Sequence, residues 1–168
     1  MITDLPFLLS IAGLSASLAG LAGLVAALRR NDGLRPIDAF RLREIVEFAF
    51  ANMLLTLSLV PLATLTGSVE AAVRIVAAAA GAYLVAISAV LFRRLRHADI
   101  AMTTWVRVAG LLDLVIVVAT VAAIVTGSLA ALQVMLILFL ARPMVAFLFV
   151  LVSFDADRPG SPPAPPAA

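Results

Sequence analysis

Three observations predict an all-α, polytopic membrane protein with five transmembrane helices. Of its 168 residues, 64% are hydrophobic and only 13% are charged, too few to cover a water-facing surface. Five apolar segments are each long enough to cross about 30 Å of hydrocarbon as a helix. The charges fall mainly between these segments. Helix is preferred over open sheet because lipid cannot satisfy exposed backbone N–H and C=O groups.

In chain order the spans are expected at Leu5 to Leu28, Ile45 to Leu65, Val69 to Phe92, Val106 to Val125 and Leu129 to Val152, within a membrane domain over 1–154. The first span carries Asp4 in its leader, and its apolar run exceeds a secretory signal core, so it reads as a retained helix. Its Ala12, Ala16, Ala19, Gly20, Gly23 and Ala27 form a small-residue stripe suited to close helix contact, within the chain or with a second copy. Spans two and three are joined by Thr66-Gly67-Ser68, and spans four and five by Thr126-Gly127-Ser128. Connections this short force antiparallel neighbours. In each, glycine can take the left-handed conformation that closes a helix, and serine can cap the next one. Span five is dense in Leu, Ile, Phe and Met and is expected to show much of its surface to lipid or a partner. The segment 155–168, with five prolines, reads as a disordered cytoplasmic tail.

The two turns lie sixty residues apart, and Leu54/Leu114, Ala63/Ala123 and Ala86/Ala146 agree at the same offset. The pattern is that of one N-terminal span followed by a repeated hairpin. Both copies run in the same direction, unlike the inverted repeats common in transporters.

All twelve basic residues are arginine. Arg29, Arg30, Arg35, Arg41 and Arg43 follow span one, and Arg93, Arg94, Arg96 and Arg107 lie between spans three and four, whereas neither Thr-Gly-Ser turn has a basic residue. The positive-inside rule then puts both arginine-rich connections in the cytoplasm, the N-terminus outside and the C-terminus inside. Arg158 agrees, and Trp105 beside Arg107 fits an interfacial anchor.

Arg74 and Arg142 depart from this distribution. Arg74 follows Glu70 by four residues near the outer end of span three, in the favourable order for a helical ion pair. Arg142 lies deep in span five, and reflection about Gly127-Ser128 puts it opposite Asp113 of span four. A lone ionised group at a helix centre costs about 2.5 to 3.5 kcal/mol on insertion scales, so a pair is expected. The same reflection in the first hairpin sets Asn52 opposite Tyr83. Glu47 lies one repeat from Arg107, which suggests a contact between the hairpins.

Other chemistries find little footing. Without cysteine there is no disulfide, thiolate site or cysteine nucleophile, and the single histidine, His97, has no second ligand near it in sequence. The hydroxyl residues have no paired base, and Gly13, Gly20 and Gly23 lie inside an apolar span rather than in a phosphate loop. No catalytic residue, metal ligand or cofactor is therefore assigned, and the net charge of +2 gives no reason to expect nucleic acid.

The stretch Arg41-Leu42-Arg43-Glu44-Ile45-Val46-Glu47, followed by Ser68-Val69-Glu70-Ala71-Ala72-Val73-Arg74 and then Phe92-Arg93-Arg94-Leu95-Arg96, resembles a group of uncharacterised bacterial five-span membrane proteins. The likeness covers roughly spans two to five and implies the same layout, with no activity to carry over. The expectation is a small inner-membrane protein of structural or accessory role. Its partners would be the bilayer and either a second copy or another membrane protein. The alternative is an oligomeric ion channel or proton-coupled transporter using Asp113 and Arg142.

Overall fold

The computed structural model describes residues 4–28, 36–97 and 104–156. Five helices account for nearly all of them: α1 (Leu5–Leu28), α2 (Pro36–Thr66), α3 (Val69–His97), α4 (Thr104–Thr126) and α5 (Leu129–Ala156). Each contains a segment long and apolar enough to cross a membrane. The chain is an all-helical, multi-pass membrane protein.

α1 has the bounds expected from its apolar run, whereas α2 begins nine residues before the expected Ile45. Local sequence explains the early start. Pro36 fits a first helical position, where its missing N–H costs nothing, and Asp38 places an anion in the first turn. Helix α3 likewise continues past Phe92 to His97, and α5 continues past Val152 to Ala156. Apolar length therefore underestimates helix length where polar residues continue it beyond the hydrocarbon. Asp155 and Ala156, expected in the tail, are helical; the rest of that tail and Arg29, Arg30, Arg35 and Arg158 lie outside the described residues.

Both turns form as expected. Gly67 and Gly127 have φ of 64° and 60°, the left-handed region in which a side chain is strained. Thr66 and Thr126 act alike: each hydroxyl accepts from the amide of the following serine, at 3.4 and 3.2 Å, and donates back to a helix carbonyl. The Ser68 hydroxyl caps α3 by accepting from the Ala71 amide at 3.3 Å.

Helix α5 is the hub: it packs against each of the other four helices and is the most buried span. The span was expected to show much of its surface to lipid or a partner, and it does so on one side while the other side forms the centre of the bundle. Its Leu132, Leu136, Phe139, Ala146 and Val150 all face inward at helical spacing, and an outer stripe through Ile137, Met144, Leu148 and Leu151 stays exposed. Helices α1 and α3 flank α2, and α4 packs on α3 and α5, but α2 and α4 do not pack on each other.

On α1 the buried small residues are Ala12, Ser15, Ala19 and Ala22. Ala16, Gly20, Gly23 and Ala27 are exposed, so the stripe read from the sequence divides into an inner and an outer row. The inner row lets α1 approach α2 closely. On α3, Ala72, Val73, Val76, Ala77, Ala80 and Leu84 are the buried face.

A candidate charged site at the hub helix

The polar residues inside the bundle form layers, the most charged of which is centred on Arg142. This residue stands on α5 just before Pro143, and only 3% of it is exposed. Its Nε donates to Asp113 Oδ1 of α4 at 2.8 Å, the contact expected from reflection about the turn. Its Nη1 makes an ion pair with Glu44 of α2. The guanidinium also lies 5.2 Å from the centroid of the Phe48 ring, within cation–π range. One planar group with donors on several edges can serve two carboxylates and a ring at once, as an ammonium could not in the same geometry. Through Arg142, carboxylates of α2 and α4 share one cation.

Glu44 is the member the sequence did not reveal. Its side chain is only 1% exposed, whereas that of Asp113 is 23% exposed. Reflection about a turn pairs residues within a hairpin, and Glu44 belongs to the other hairpin. The usable signal lay in local sequence: Pro36 and Asp38 start α2 early enough to carry Glu44 into the bundle, one helical turn before Phe48. The trio contains two carboxylates and one guanidinium, and it lies where the core divides, between Leu140 of one apolar cluster and Ala146 of a second.

Phe48, Tyr83 and Phe139 form a three-ring cluster beside the arginine, with centroids 5.8, 5.5 and 6.1 Å apart. Tyr83 was expected opposite Asn52, and this is corrected. Asn52 Nδ2 instead donates to Ser15 Oγ of α1 at 3.1 Å and to the Leu136 carbonyl of α5 at 3.4 Å. Reflection fixes depth, but not the direction in which a side chain leaves its helix. The hub helix lies on the inner side of α2, and Asn52 turns toward it. The Tyr83 hydroxyl is buried and has no hydrogen-bond partner among the described residues.

Two further layers flank this centre. Toward the arginine-rich end, Arg41 reaches Asp38 at 3.1 Å and lies 5.8 Å over the Phe149 ring of α5. Toward the turns, Gln133 Nε2 donates to Asp4 Oδ2 at 3.0 Å, tying α5 to the start of α1. Glu70 and Arg74 pair at 2.7 Å on an exposed surface, as their spacing predicts. Their side chains also lie over the second turn, where a Cβ at Gly127 would overlap Glu70 Cγ and approach Arg74 Nε to 3.2 Å. The pair therefore covers a glycine of the other hairpin. Glu47 pairs with Arg43 at 2.7 Å, while Arg107 is exposed, so the expected contact between Glu47 and Arg107 is replaced by an i,i+4 pair. The Trp105 and His97 side chains lie outside the described residues.

Chemically, the centre is suited to holding charge in a fixed place: a buried cation is neutralised on two edges and covered by an aromatic face. Comparison with family models, with curated proteins and with solved structures finds no match to this chain.

Proposed function

We propose that this chain is a small bacterial inner-membrane protein with a structural or accessory, non-catalytic role, in which Arg142 acts as an internal clamp. The observation that carries this reading is the ion trio: Arg142 contacts carboxylates from α4 and α2 while remaining almost wholly buried. Breaking a buried pair by removing one partner is strongly destabilising, which suits a group that fixes helix positions. The arrangement of Arg41, Arg43, Arg93 and Arg107 at the bundle end opposite the Thr-Gly-Ser turns supports a cytoplasmic location for that end and an external N-terminus. The outer row of small residues on α1 and the exposed stripe on α5 offer faces for a second copy or another membrane protein.

One observation favours a second reading, transport of protons or cations by an oligomer. Carboxylates outnumber guanidinium groups in the trio, and Asp113 is partly exposed. Intramembrane carboxylates are common features of ion pathways.

Flux through liposomes separates the two readings. Purified protein, Asp113→Asn and Glu44→Gln are reconstituted and tested for proton, Na⁺ and K⁺ flux after circular dichroism verifies their helical content. The structural reading expects no flux above protein-free vesicles in any sample. Flux in the wild type that disappears in a folded carboxylate variant would replace it with the transport reading.

A further inference from the structure

Around Arg142 the described charges do not balance. Glu44 and Asp113 bring two carboxylates to one guanidinium. The neighbouring charges on α2 are already engaged: Arg41 with Asp38 at 3.1 Å, and Arg43 with Glu47 at 2.7 Å. Helix α1 has no charged side chain. On α3, Glu70 and Arg74 pair with each other beside the turns, and Tyr83 brings a ring to Phe48 but no cation. The trio is left with one negative charge in excess, and all three of its residues lie within segments that cross the membrane.

An unbalanced charge in such a place is costly, and a carboxylate held there takes up a proton instead. Where two carboxylates share one site, the difference in their surroundings decides which of them is the acid. The Asp113 side chain is 23% exposed, and its Oδ1 accepts from Arg142 Nε at 2.8 Å, so a charge there is hydrogen-bonded and partly open. The Glu44 side chain is 1% exposed. Its Oε1 faces Arg142 Nη1, whereas its Oε2 is buried with no hydrogen-bond partner among the described residues. Phe48 follows Glu44 by one turn and Phe139 precedes Arg142 by about one turn, and with Tyr83 their rings border the trio on the side of the Thr-Gly-Ser turns. Asp113 is the more open edge, at which a proton enters or leaves.

We propose that the trio is a proton-binding site in which one exchangeable proton resides on Oε2 of Glu44, Asp113 is the anion, and the whole is electrically neutral. The inference rests on the clamp reading above and gives the second carboxylate a role within it. As an acid, Glu44 offers Arg142 an acceptor on a second edge without adding charge. When Asp113 is removed, Glu44 releases its proton to water and becomes the anion that the guanidinium requires.

Carboxyl-carbon NMR tests this directly, because the chain has only three glutamates, Glu44, Glu47 and Glu70. The full chain is labelled with carboxyl-¹³C-glutamate and placed in micelles, with free glutamate at low and high pH marking the acid and carboxylate positions. Glu47→Gln and Glu70→Gln, both outside the trio, assign two of the resonances and leave that of Glu44. At neutral pH the wild-type Glu44 resonance is expected at the acid position. In Asp113→Asn it should move the full distance to the carboxylate position, a displacement that burial alone would not produce. A carboxylate resonance for Glu44 in the folded wild type would overturn the proposal, as would an acid resonance that persists in folded Asp113→Asn. So would a Glu44 resonance that responds to added Na⁺ or K⁺, which would make a metal cation the missing charge. If Asp113→Asn does not fold, the wild-type position and its indifference to Na⁺ and K⁺ decide the matter. The clamp itself fails by a different measurement: a carboxylate resonance with Glu44 and Arg142 still coupled in unfolding removes the proton alone, whereas additive losses remove the clamp.

Discussion

The two hairpins share a turn and differ in what lies between their helices. In both, a threonine hydroxyl and a glycine at positive φ reverse the chain in nearly the same way. In the second hairpin the residues reflected about the turn, Asp113 and Arg142, meet at 2.8 Å. In the first, Asn52 and Tyr83 take different partners, on α1 and α5 for the amide and on the Phe48 and Phe139 rings for the phenol. The reason is position in the bundle. Helix α5 is surrounded, so its polar group must be satisfied by its neighbours, whereas α2 has the hub on one side and α3 on another. A common turn therefore sets depth, and packing decides which residues at that depth make contact.

Arg142→Met should have the largest effect, because it leaves Glu44 and Asp113 facing each other without their shared cation. A loss of about 3 to 5 kcal/mol is expected in reversible unfolding in mixed micelles. A loss below about 1 kcal/mol would remove the basis for treating the second hairpin as specially clamped. The turns can then be compared directly. Gly67→Ala and Gly127→Ala both place a side chain at positive φ, at about 1 kcal/mol each. Gly127→Ala should lose about 1 kcal/mol more, since its Cβ meets Glu70 Cγ. Equal losses would mean that the Glu70–Arg74 pair moves aside without cost.

Asp113→Asn should lose about 1 to 2 kcal/mol, less than Arg142→Met, because Glu44 continues to neutralise the arginine. A loss equal to that of Arg142→Met would show that the contact within the hairpin carries the whole clamp. The smallest effect is expected from Tyr83→Phe, which removes a buried hydroxyl without a partner among the described residues. Unfolding should change by about 0.5 kcal/mol or less, with a gain as acceptable as a loss. A loss above about 1.5 kcal/mol would reveal a hydrogen bond that ties the first hairpin more tightly than the ring contacts alone.

Much of this arrangement was legible in the sequence. Apolar run length located all five helices, and the paired Thr-Gly-Ser segments located both reversals, because hydrocarbon thickness and left-handed glycine are local constraints. The Asp113–Arg142 contact was legible for the same reason, since a short turn makes depth computable along two adjacent helices. Glu44 was not, because its contact with Arg142 links helices from different hairpins, and no turn geometry relates them. The central place of α5 was also hidden: a helix rich in Leu, Phe and Met has the same composition whether lipid or protein covers it. Likewise, the small residues of α1 gave a stripe but not its orientation, which the Asn52–Ser15 contact helps to fix.

The central claim is that Arg142 joins α2 to α4 through Glu44 and Asp113. A double-mutant cycle of Glu44→Gln and Arg142→Gln, read by unfolding in micelles with all four proteins matched for helix content, tests it most directly. The account predicts a coupling of at least about 1.5 kcal/mol, with the double variant more stable than the sum of the two losses implies. Additive losses would contradict it, and would mean that Glu44 and Arg142 are neighbours that contribute independently.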